Sequence, residues 1–206
     1  MLTLLAQRYK KEELKTVSIF FNEKAYDERY YQQIMLEKTQ ARNYSHLVNQ
    51  QDFEEALPEI LSAMDMPTTD GINSWFISKY AKESGMKAVI SGLGADELFG
   101  GYPSFNRIRY LKYLKKTPKF LLKIIAAVST GRIKRVALLT HDHPLADYIF
   151  LRGLFVPANI AAILNITERE VNEVLFSAPI NLNNMEDAQK ASWFETNLYM
   201  QNQLLR

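Results

Sequence analysis

The chain has 206 residues, of which 47% are apolar and 23% are charged, a balance typical of a globular protein rather than a disordered chain. At this length, one domain or one domain with an appendage is expected. The net charge of +2 gives no bulk electrostatic reason to expect a nucleic acid or an anionic membrane as partner. The absence of cysteine excludes disulfides, thiolate nucleophiles and cysteine-type zinc sites, and it is compatible with a reducing compartment.

The N-terminus has the pattern of a helix and lacks that of a targeting signal. Leu2, Leu5, Ala6 and Tyr9 fall on one helical face, and no capping residue precedes them, so the chain is expected to begin inside an element. The apolar run is short and its basic residues follow it, whereas a secretory signal has the reverse order. No stretch approaches the 18 consecutive apolar residues typical of a membrane span. We therefore expect a cytoplasmic protein without a membrane partner.

The first half of the chain alternates two kinds of element. Strands rich in β-branched and aromatic residues are predicted at residues 16–21, 44–48 and 87–90. Helices are predicted at residues 27–41, 53–63 and 71–83, the second kinked or split by Pro58. Strands that alternate with helices in this way indicate an α/β fold with a parallel sheet, in which the short apolar run 87–90 suits a central strand.

After Ser91 the pattern becomes entirely helical. Helices are predicted at residues 105–114, 120–128, 148–154, 157–164, 167–176 and 184–205. Thr167 and Glu170 form a capping-box pattern at one of them. The charge changes at the same place, because residues 98–141 contain ten basic side chains and no acidic one. We therefore divide the chain into an α/β region, 1–97, and a helical region, 98–206.

The segment Ser91–Tyr102, SGLGADELFGGY, carries the chemistry. It follows a predicted strand directly, and open α/β sheets bind their ligands at the carboxyl ends of strands. Gly92 and Gly94 allow a sharp turn whose backbone N–H groups can approach an anion. Asp96 and Glu97 would repel a phosphate unless a divalent cation lay between them, and Mg²⁺ commonly binds carboxylates together with substrate phosphates. The segment therefore predicts a magnesium–nucleotide site.

A simpler interpretation of the same residues stays open on spacing alone. Glycines after a strand form ordinary turns, and Gly-x-Gly by itself is a weak motif. Acidic residues in the first turn of a helix stabilise it through the helix dipole by about 0.3–1 kcal/mol without any ligand.

SGLGADELFGGY closely resembles the nucleotide motif of the glutamine-hydrolysing asparagine synthetase family. The stretches 25–28 (AYDE) and 65–75 (DMPTTDGINSW) resemble that family in the same order. The likeness covers residues 1–110 well, and it extends more loosely through Arg152–Phe155 and Asn202–Arg206. It implies the C-terminal synthetase (ATP-pyrophosphatase) domain: a Rossmann-like parallel sheet of the adenine nucleotide alpha hydrolase type, followed by an all-helical region. Residues 1–97 would then be a partial nucleotide-binding region.

The resemblance also implies a reaction and its cofactors, ATP and Mg²⁺. In that family an aspartate carboxylate attacks the α-phosphorus of ATP, pyrophosphate leaves, and ammonia displaces AMP from the acyl-adenylate to give asparagine. The ammonia comes from glutamine hydrolysed in a separate N-terminal glutaminase domain. The residues that match Ser91 and Gly92 lie against the nucleotide, and the one that matches Asp96 helps to hold Mg²⁺. Gly94 is a further candidate for nucleotide binding, because it lies in the same turn. Glu97 is a further candidate for metal binding, because it is paired with Asp96.

Two departures from the family pattern lead to further expectations. The family's SGGxDS pyrophosphate loop does not occur in the sequence, and the family continues beyond Arg206. We therefore expect a synthetase domain truncated at both ends, without its glutaminase domain, inactive by itself, and inclined to dimerise through exposed apolar surface. Leu93 stands where the family usually has glutamate, which favours an amidotransferase that acts on a different carboxylate acceptor. A degenerate, non-catalytic nucleotide-binding module is a third hypothesis.

The basic stretch 107–135 interleaves aromatic side chains with cations, as single-stranded nucleic-acid binders do. The same charges fit the solvated faces of helices, and this is the interpretation we prefer, so no nucleic-acid partner is expected. Attraction of ATP or pyrophosphate is a third interpretation.

Other positions have structural interpretations. His141 and His143 precede Pro144 and are interpreted as a loop rather than a metal site, because no third ligand accompanies them. Phe76, with its neighbours Trp75 and Tyr80, is predicted to lie in the core. Asp70 fits either a substrate contact or the N-cap of the helix that follows it.

Overall fold

The computed structural model describes residues 2–9, 14–23, 27–39, 41–66, 68 and 70–205. The chain divides into two compact units, an α/β unit of residues 1–93 with 199–206 and a helical unit of residues 94–198. The fold is α/β, mostly helical, with a two-stranded parallel sheet in the described part of the chain. Five residues of the family-like stretches lie outside the described residues: Ala25, Tyr26, Pro67, Thr69 and Arg206.

The α/β unit contains a β-α-β arrangement with further helices. Its elements are α1 (Leu2–Tyr9), β1 (Lys15–Phe20), α2 (Arg29–Thr39), β2 (Arg42–Leu47), α3 (Gln50–Ala63) and α4 (Gly71–Glu83). β1 and β2 pair in parallel, from Lys15 opposite Arg42 to Phe20 opposite Leu47. The hydroxyls of Thr16 and Ser18 on β1 both donate to Asn43 Oδ1 on β2, at 2.8 and 3.2 Å, which reinforces this register.

The core of the α/β unit is an apolar cluster that joins the end of β2 to α3 and α4. Ile60 and Phe76 are fully buried in it, and Trp75 and Tyr80 pack around it half-buried, which confirms the predicted core position of Phe76. Asn49 and Asp52 form a capping box at the start of α3, and the helix then continues through Pro58 to Ala63. The prediction that Pro58 splits the helix is therefore wrong, and the alternative, a kink at Pro58, stays a prediction.

The predicted strand at residues 87–90 is not formed. The segment has no ladder partner among the described residues, and its apolar side chains face solvent: Val89 is 46% exposed and Ile90 is 90% exposed. An extended segment becomes a strand only when a neighbour supplies its backbone hydrogen bonds, and the apolar pattern cannot supply that neighbour.

The helical unit is built from short helices. They are α5 (Ala95–Phe99), α6 (Pro103–Arg107), a 3₁₀ turn (Ile108–Tyr110), α7 (Leu111–Leu114), α8 (Lys119–Val128), a 3₁₀ segment (Gly131–Thr140), α9 (Pro144–Arg152), α10 (Pro157–Leu164), α11 (Glu168–Leu175) and α12 (Asp187–Phe194). A π-helical stretch, Glu195–Leu204, continues α12. Leu122, Leu139, Leu151 and Phe194 lie in its main core.

Most predicted helices are confirmed, with changes in their extent. The helix at 157–164 matches α10, and the capping box of Thr167 and Glu170 is present at the start of α11. The predicted helix 105–114 is instead divided among α6, the 3₁₀ turn and α7, while the predicted helix 184–205 changes to π geometry at Glu195. After Ser91 the described residues contain no strand, as expected.

Within the described part of the chain, no single helix is long and apolar enough to cross a membrane. One pair, α9 with α10, meets the length and composition criteria together, and the two helices are bent by 85° at the break between them.

Candidate functional site

The predicted site residues belong to both units and are described within each. Ser91 and Gly92 end the α/β unit, and Gly94, Asp96 and Glu97 begin the helical unit. Ser91 is exposed, and its hydroxyl accepts a hydrogen bond from the N–H of Leu93 at 3.2 Å, which closes a local turn. Gly92 is also exposed, and nothing lies within 4 Å of the position that a Cβ would take there. The turn thus offers a hydroxyl and an uncovered backbone to solvent.

Gly94 directs the chain into α5. Its φ of +91° is a left-handed conformation that glycine adopts readily and other residues adopt at a cost. The carbonyl of Gly94 accepts the first helical hydrogen bond, from Leu98 N at 3.1 Å. Gly100 closes the helix with a φ of +78°, so α5 is a single short turn held between two glycines.

Asp96 lies in the first turn of α5 and is exposed. Its carbonyl accepts the N–H groups of Gly100 and Gly101, each at 3.0 Å, so the chain folds back over it. A Cβ at position 101 would overlap the Asp96 carboxylate, which explains why that position is a glycine. The carboxylate is therefore held against the backbone and remains open to solvent on its other side.

Glu97 has the opposite environment. It is only 1% exposed, and its Oε1 accepts a hydrogen bond of 2.9 Å from the hydroxyl of Tyr102. Adjacent positions on one helical turn therefore send one carboxylate outward and one inward. This arrangement favours an internal role for Glu97, and the assignment of Asp96 and Glu97 to Mg²⁺ stays a prediction. Among the described residues, no group of three or more histidine, aspartate and glutamate side chains is arranged to hold a metal ion.

Glu97 belongs to a buried polar cluster that the sequence patterns did not predict. We call it the Glu195 cluster: Glu97, Tyr102, Ser104, Arg152 and Glu195. Ser104 Oγ donates to Glu195 Oε1, and Arg152 Nε lies 3.2 Å from Glu195 Oε2. The Arg152 guanidinium also covers the ring of Tyr102 at 4.3 Å, and Tyr102 donates to Glu97. The cluster thus connects α5 to α6, α9 and the start of the π-helical stretch.

Burial determines the electrostatics of the Glu195 cluster. Glu195 is fully buried, and desolvation raises the pKa of its carboxyl above the ordinary value. The hydrogen bond from Ser104 and the charge of Arg152 oppose that rise in pKa, while the charge of Glu97 adds to it. The sequence signal was an arginine and a glutamate inside apolar helical patterns, because such charges are seldom buried unless they pair with each other.

The remaining candidates have internal partners. His143 Nδ1 accepts the N–H of Leu145 at the start of α9, and its Nε2 lies 3.0 Å from the carbonyl of Ala178. Burial lowers the pKa of His141. Asp70 occupies the N-cap position of α4, as predicted, but its side chain makes no cap hydrogen bond. The carboxylate instead accepts a hydrogen bond of 2.8 Å from the hydroxyl of Tyr199.

Comparison with known proteins gives one match that covers the whole chain. The family model described as asparagine synthase matches residues 1–206. The chain belongs to the asparagine synthase family. The resemblance of the chain to that family is therefore confirmed. Helix α5 and its flanking glycines lie within the motif SGLGADELFGGY.

Relatives within the asparagine synthase family share about a quarter of their residues with the chain over the aligned regions. The chain is 26% identical over 204 residues to asparagine synthetase [glutamine-hydrolyzing] 1 of Bacillus subtilis, a match that covers 93% of this chain and 32% of that protein. It is 28% identical over 162 residues to putative asparagine synthetase [glutamine-hydrolyzing] 1 of Methanocaldococcus jannaschii, covering 76% and 27%. The chain thus spans between a quarter and a third of the length of these relatives. No solved structure matches it significantly.

Proposed function

We propose that this chain is part of the synthetase domain of an ATP-dependent, amide-forming ligase of the glutamine-hydrolysing asparagine synthetase type. The observation that supports this most directly is the geometry of α5. Gly94 turns the chain in a left-handed conformation, and Asp96 follows with an exposed carboxylate held against the backbone of Gly101. A fixed, outward carboxylate in a helical turn that a left-handed glycine introduces is suited to a nucleotide that arrives with a divalent cation.

In this proposal Ser91, Gly92 and Gly94 contact ATP. The open space around Gly92 and the exposed hydroxyl of Ser91 support it, because a phosphate or ribose needs close access to backbone and hydroxyl donors. The parallel pairing of β1 with β2 supports a Rossmann-like sheet in the α/β unit.

Asp96 is the residue that fits a Mg²⁺ ligand best. Mg²⁺ in nucleotide enzymes commonly takes one or two carboxylates, with phosphate oxygens and water completing its shell. When bound, the ion would neutralise charge on the pyrophosphate leaving group. Glu97 is the second predicted ligand, and its hydrogen bond with Tyr102 supports a different task, which is to hold the turn that carries Asp96.

The proposed reaction begins with attack by an aspartate carboxylate on the α-phosphorus of ATP, which forms the carboxylate–phosphorus bond and releases pyrophosphate. Ammonia then forms the amide bond and releases AMP. The ammonia would come from a glutaminase domain, because the names of the relatives specify glutamine hydrolysis for those proteins. Leu93 favours the second candidate, an amidotransferase for another carboxylate. It is 48% exposed at the turn, and leucine cannot exchange a proton with ammonia as the family glutamate can.

Binding of ATP to the full chain tests the nucleotide proposal. Calorimetric titration should show binding that requires Mg²⁺, and Asp96→Asn should reduce that affinity roughly tenfold by removing a charged ligand. Asp142→Asn is the matched control, because Asp142 is also exposed and pairs with Lys119 on the surface. Magnesium-independent binding, or no binding, would favour the non-catalytic module.

Glu97→Gln separates the two roles of the acid pair. Glutamine retains an oxygen that can accept the Tyr102 hydrogen bond, so a purely positioning Glu97 should leave magnesium-dependent ATP affinity within about threefold of the original. A loss equal to that of Asp96→Asn would identify Glu97 as a metal ligand.

ATP–pyrophosphate exchange tests the reaction class. The 206-residue chain is expected to give no exchange with aspartate. Exchange with aspartate would contradict the expected inactivity and support asparagine synthesis directly, whereas exchange driven by another carboxylate would support the second candidate. Sedimentation of the same sample tests the expected dimer, which a concentration-independent monomer would contradict. The cytoplasmic location stays a prediction.

A further inference from the structure

The helical unit contains a cavity of about 360 Å³ that is mainly apolar. Tyr110, Ile133 and Phe150 form part of its wall, from the 3₁₀ turn after α6, the 3₁₀ segment 131–140 and α9. Small-molecule sites commonly have this volume and this kind of lining, with a few polar groups that fix the orientation of the ligand.

Arginines provide the polar groups. Arg107, Arg132 and Arg135 line this cavity, and the same three residues line a second cavity of about 190 Å³. The two cavities therefore share these three arginines, and the larger cavity is mainly apolar. We call this combined feature the arginine cavity.

The three arginines give the arginine cavity a positive charge. Among the described residues, none of its three arginines has a carboxylate partner within ion-pair distance. Arg135 Nη1 donates to the carbonyl of Gly153 at 2.6 Å, and its Nε donates to the carbonyl of Arg132 at 3.3 Å, so backbone groups fix its orientation. Burial lowers the pKa of Arg135, and the nearby charges of Arg132 and Arg107 lower it further. Like charges held this close are stabilised when an anion lies between them.

We propose that the arginine cavity binds an organic phosphate, with the phosphate held by Arg107 and Arg132 and an apolar or aromatic body lying against Tyr110, Ile133 and Phe150. A dianion balances several guanidinium groups better than a carboxylate does, and the planar fork of arginine matches phosphate oxygens in pairs. The adjoining apolar wall accounts for an organic body rather than inorganic phosphate alone. None of these residues belongs to the proposed nucleotide site, so the two proposals stand or fall separately.

Titration of the full chain with phenyl phosphate, at fixed ionic strength, tests the arginine cavity. Phenyl phosphate should bind at least fivefold more tightly than inorganic phosphate or phenol. Arg107→Gln and Arg132→Gln should each weaken it roughly tenfold, since each removes charge-assisted hydrogen bonds. Both side chains are exposed, so neither substitution is expected to unfold the protein, which a thermal melt verifies.

Matched controls separate this site from general electrostatics. Arg109→Gln removes the same charge beside Arg107, but Arg109 is exposed and does not line the cavity, so affinity should change less than twofold. Ile133→Ala should weaken phenyl phosphate and leave inorganic phosphate unchanged. The proposal is overturned by equal losses in the Arg107 and Arg109 variants, by equal affinity for phenyl phosphate and inorganic phosphate, or by binding that disappears in Asp96→Asn.

A phosphate with an apolar body can be a soluble metabolite or a lipid headgroup. Vesicles of phosphatidylcholine with and without phosphatidic acid distinguish them. Binding to phosphatidic acid vesicles that is reduced by Arg107→Gln and Arg132→Gln would support a lipid source. Binding of phenyl phosphate alone would support a soluble ligand. Absence of both would overturn the proposal.

Discussion

The two units place their charged groups in different ways. In the α/β unit two charged contacts are local: Asp27 binds Arg29 two residues away at 2.7 Å, and Asp52 caps the start of α3. Asp70 differs, because it accepts a hydrogen bond from the distant Tyr199. In the helical unit, Lys115 contacts the largely buried Asp147, and Ser104 contacts the fully buried Glu195. Local pairs on the surface contribute little to stability, whereas a buried pair becomes costly once one partner is removed. Removal of one of these buried carboxylates should therefore lower the stability of the helical unit more than removal of Asp27 lowers that of the α/β unit.

The largest effect is expected from Glu195→Ala in the helical unit. It leaves Arg152 beside an apolar core without its carboxylate, which should lower the free energy of unfolding by about 3–5 kcal/mol. Glu173→Ala is the matched control, because Glu173 also meets an arginine Nε, at 2.8 Å, but is 61% exposed. Its cost should stay below about 0.5 kcal/mol. Urea denaturation followed by circular dichroism measures both, and equal costs would remove the contrast between buried and exposed pairs.

The α/β unit should be sensitive to apolar substitutions instead. Ile60 is fully buried, so Ile60→Ala should cost about 2–5 kcal/mol through lost contacts and a cavity. Ile90→Ala removes the same atoms from a side chain that is 90% exposed, and should change stability by less than about 0.5 kcal/mol. The same denaturation experiment compares them. A large cost at Ile90 would mean that this side chain is covered in solution, for example by a second copy of the chain.

The pH dependence of stability gives a smaller contrast. Because burial raises the pKa of Glu195 in the folded state, the folded chain binds this proton more tightly than the unfolded chain does. The resulting stability is fully present below the ordinary value of 4.5 and is lost as the pH rises through the folded pKa. The unfolding free energy of the unmodified chain, relative to Glu195→Gln, should therefore fall as the pH rises above about 4.5. A difference that stays constant with pH would contradict this.

The smallest effect is expected at Asp27 in the α/β unit. Arg29 donates to its carboxylate and lowers its pKa to about 2. The stability that this pair contributes is present above the ordinary value of 3.8 and is lost as the pH falls towards 2. Because both groups are on the surface, Asp27→Asn should have a small effect at neutral pH, and that effect should vanish in 1 M salt. Thermal melts at low and high salt measure it, and a large or salt-independent loss would contradict a surface pair.

The distinction between local and long-range contacts also explains how much of the structure was predictable. Short-range patterns identified β1, β2, α10 and the capping box of α11, because their signals lie within a few residues. The strand at 87–90 failed because its formation depends on a neighbour that no local pattern specifies. For the candidate site, the motif identified Gly94 and the acid pair as candidates. The structure shows in addition that Asp96 is exposed and Glu97 is buried. The contact between Ser104 and Glu195 joins positions 91 residues apart, and no spacing rule reveals it.

Asp96 and Glu97 share one peptide bond, although one faces water and the other the interior. A displacement of the backbone at Asp96 therefore moves Glu97 against Tyr102, and through the ring of Tyr102 against Arg152. An engineer who lengthens the side chain at position 96 to change its cation preference should look for compensating changes on α9 and at position 195. Buried residues would then set the direction of the exposed carboxylate at position 96.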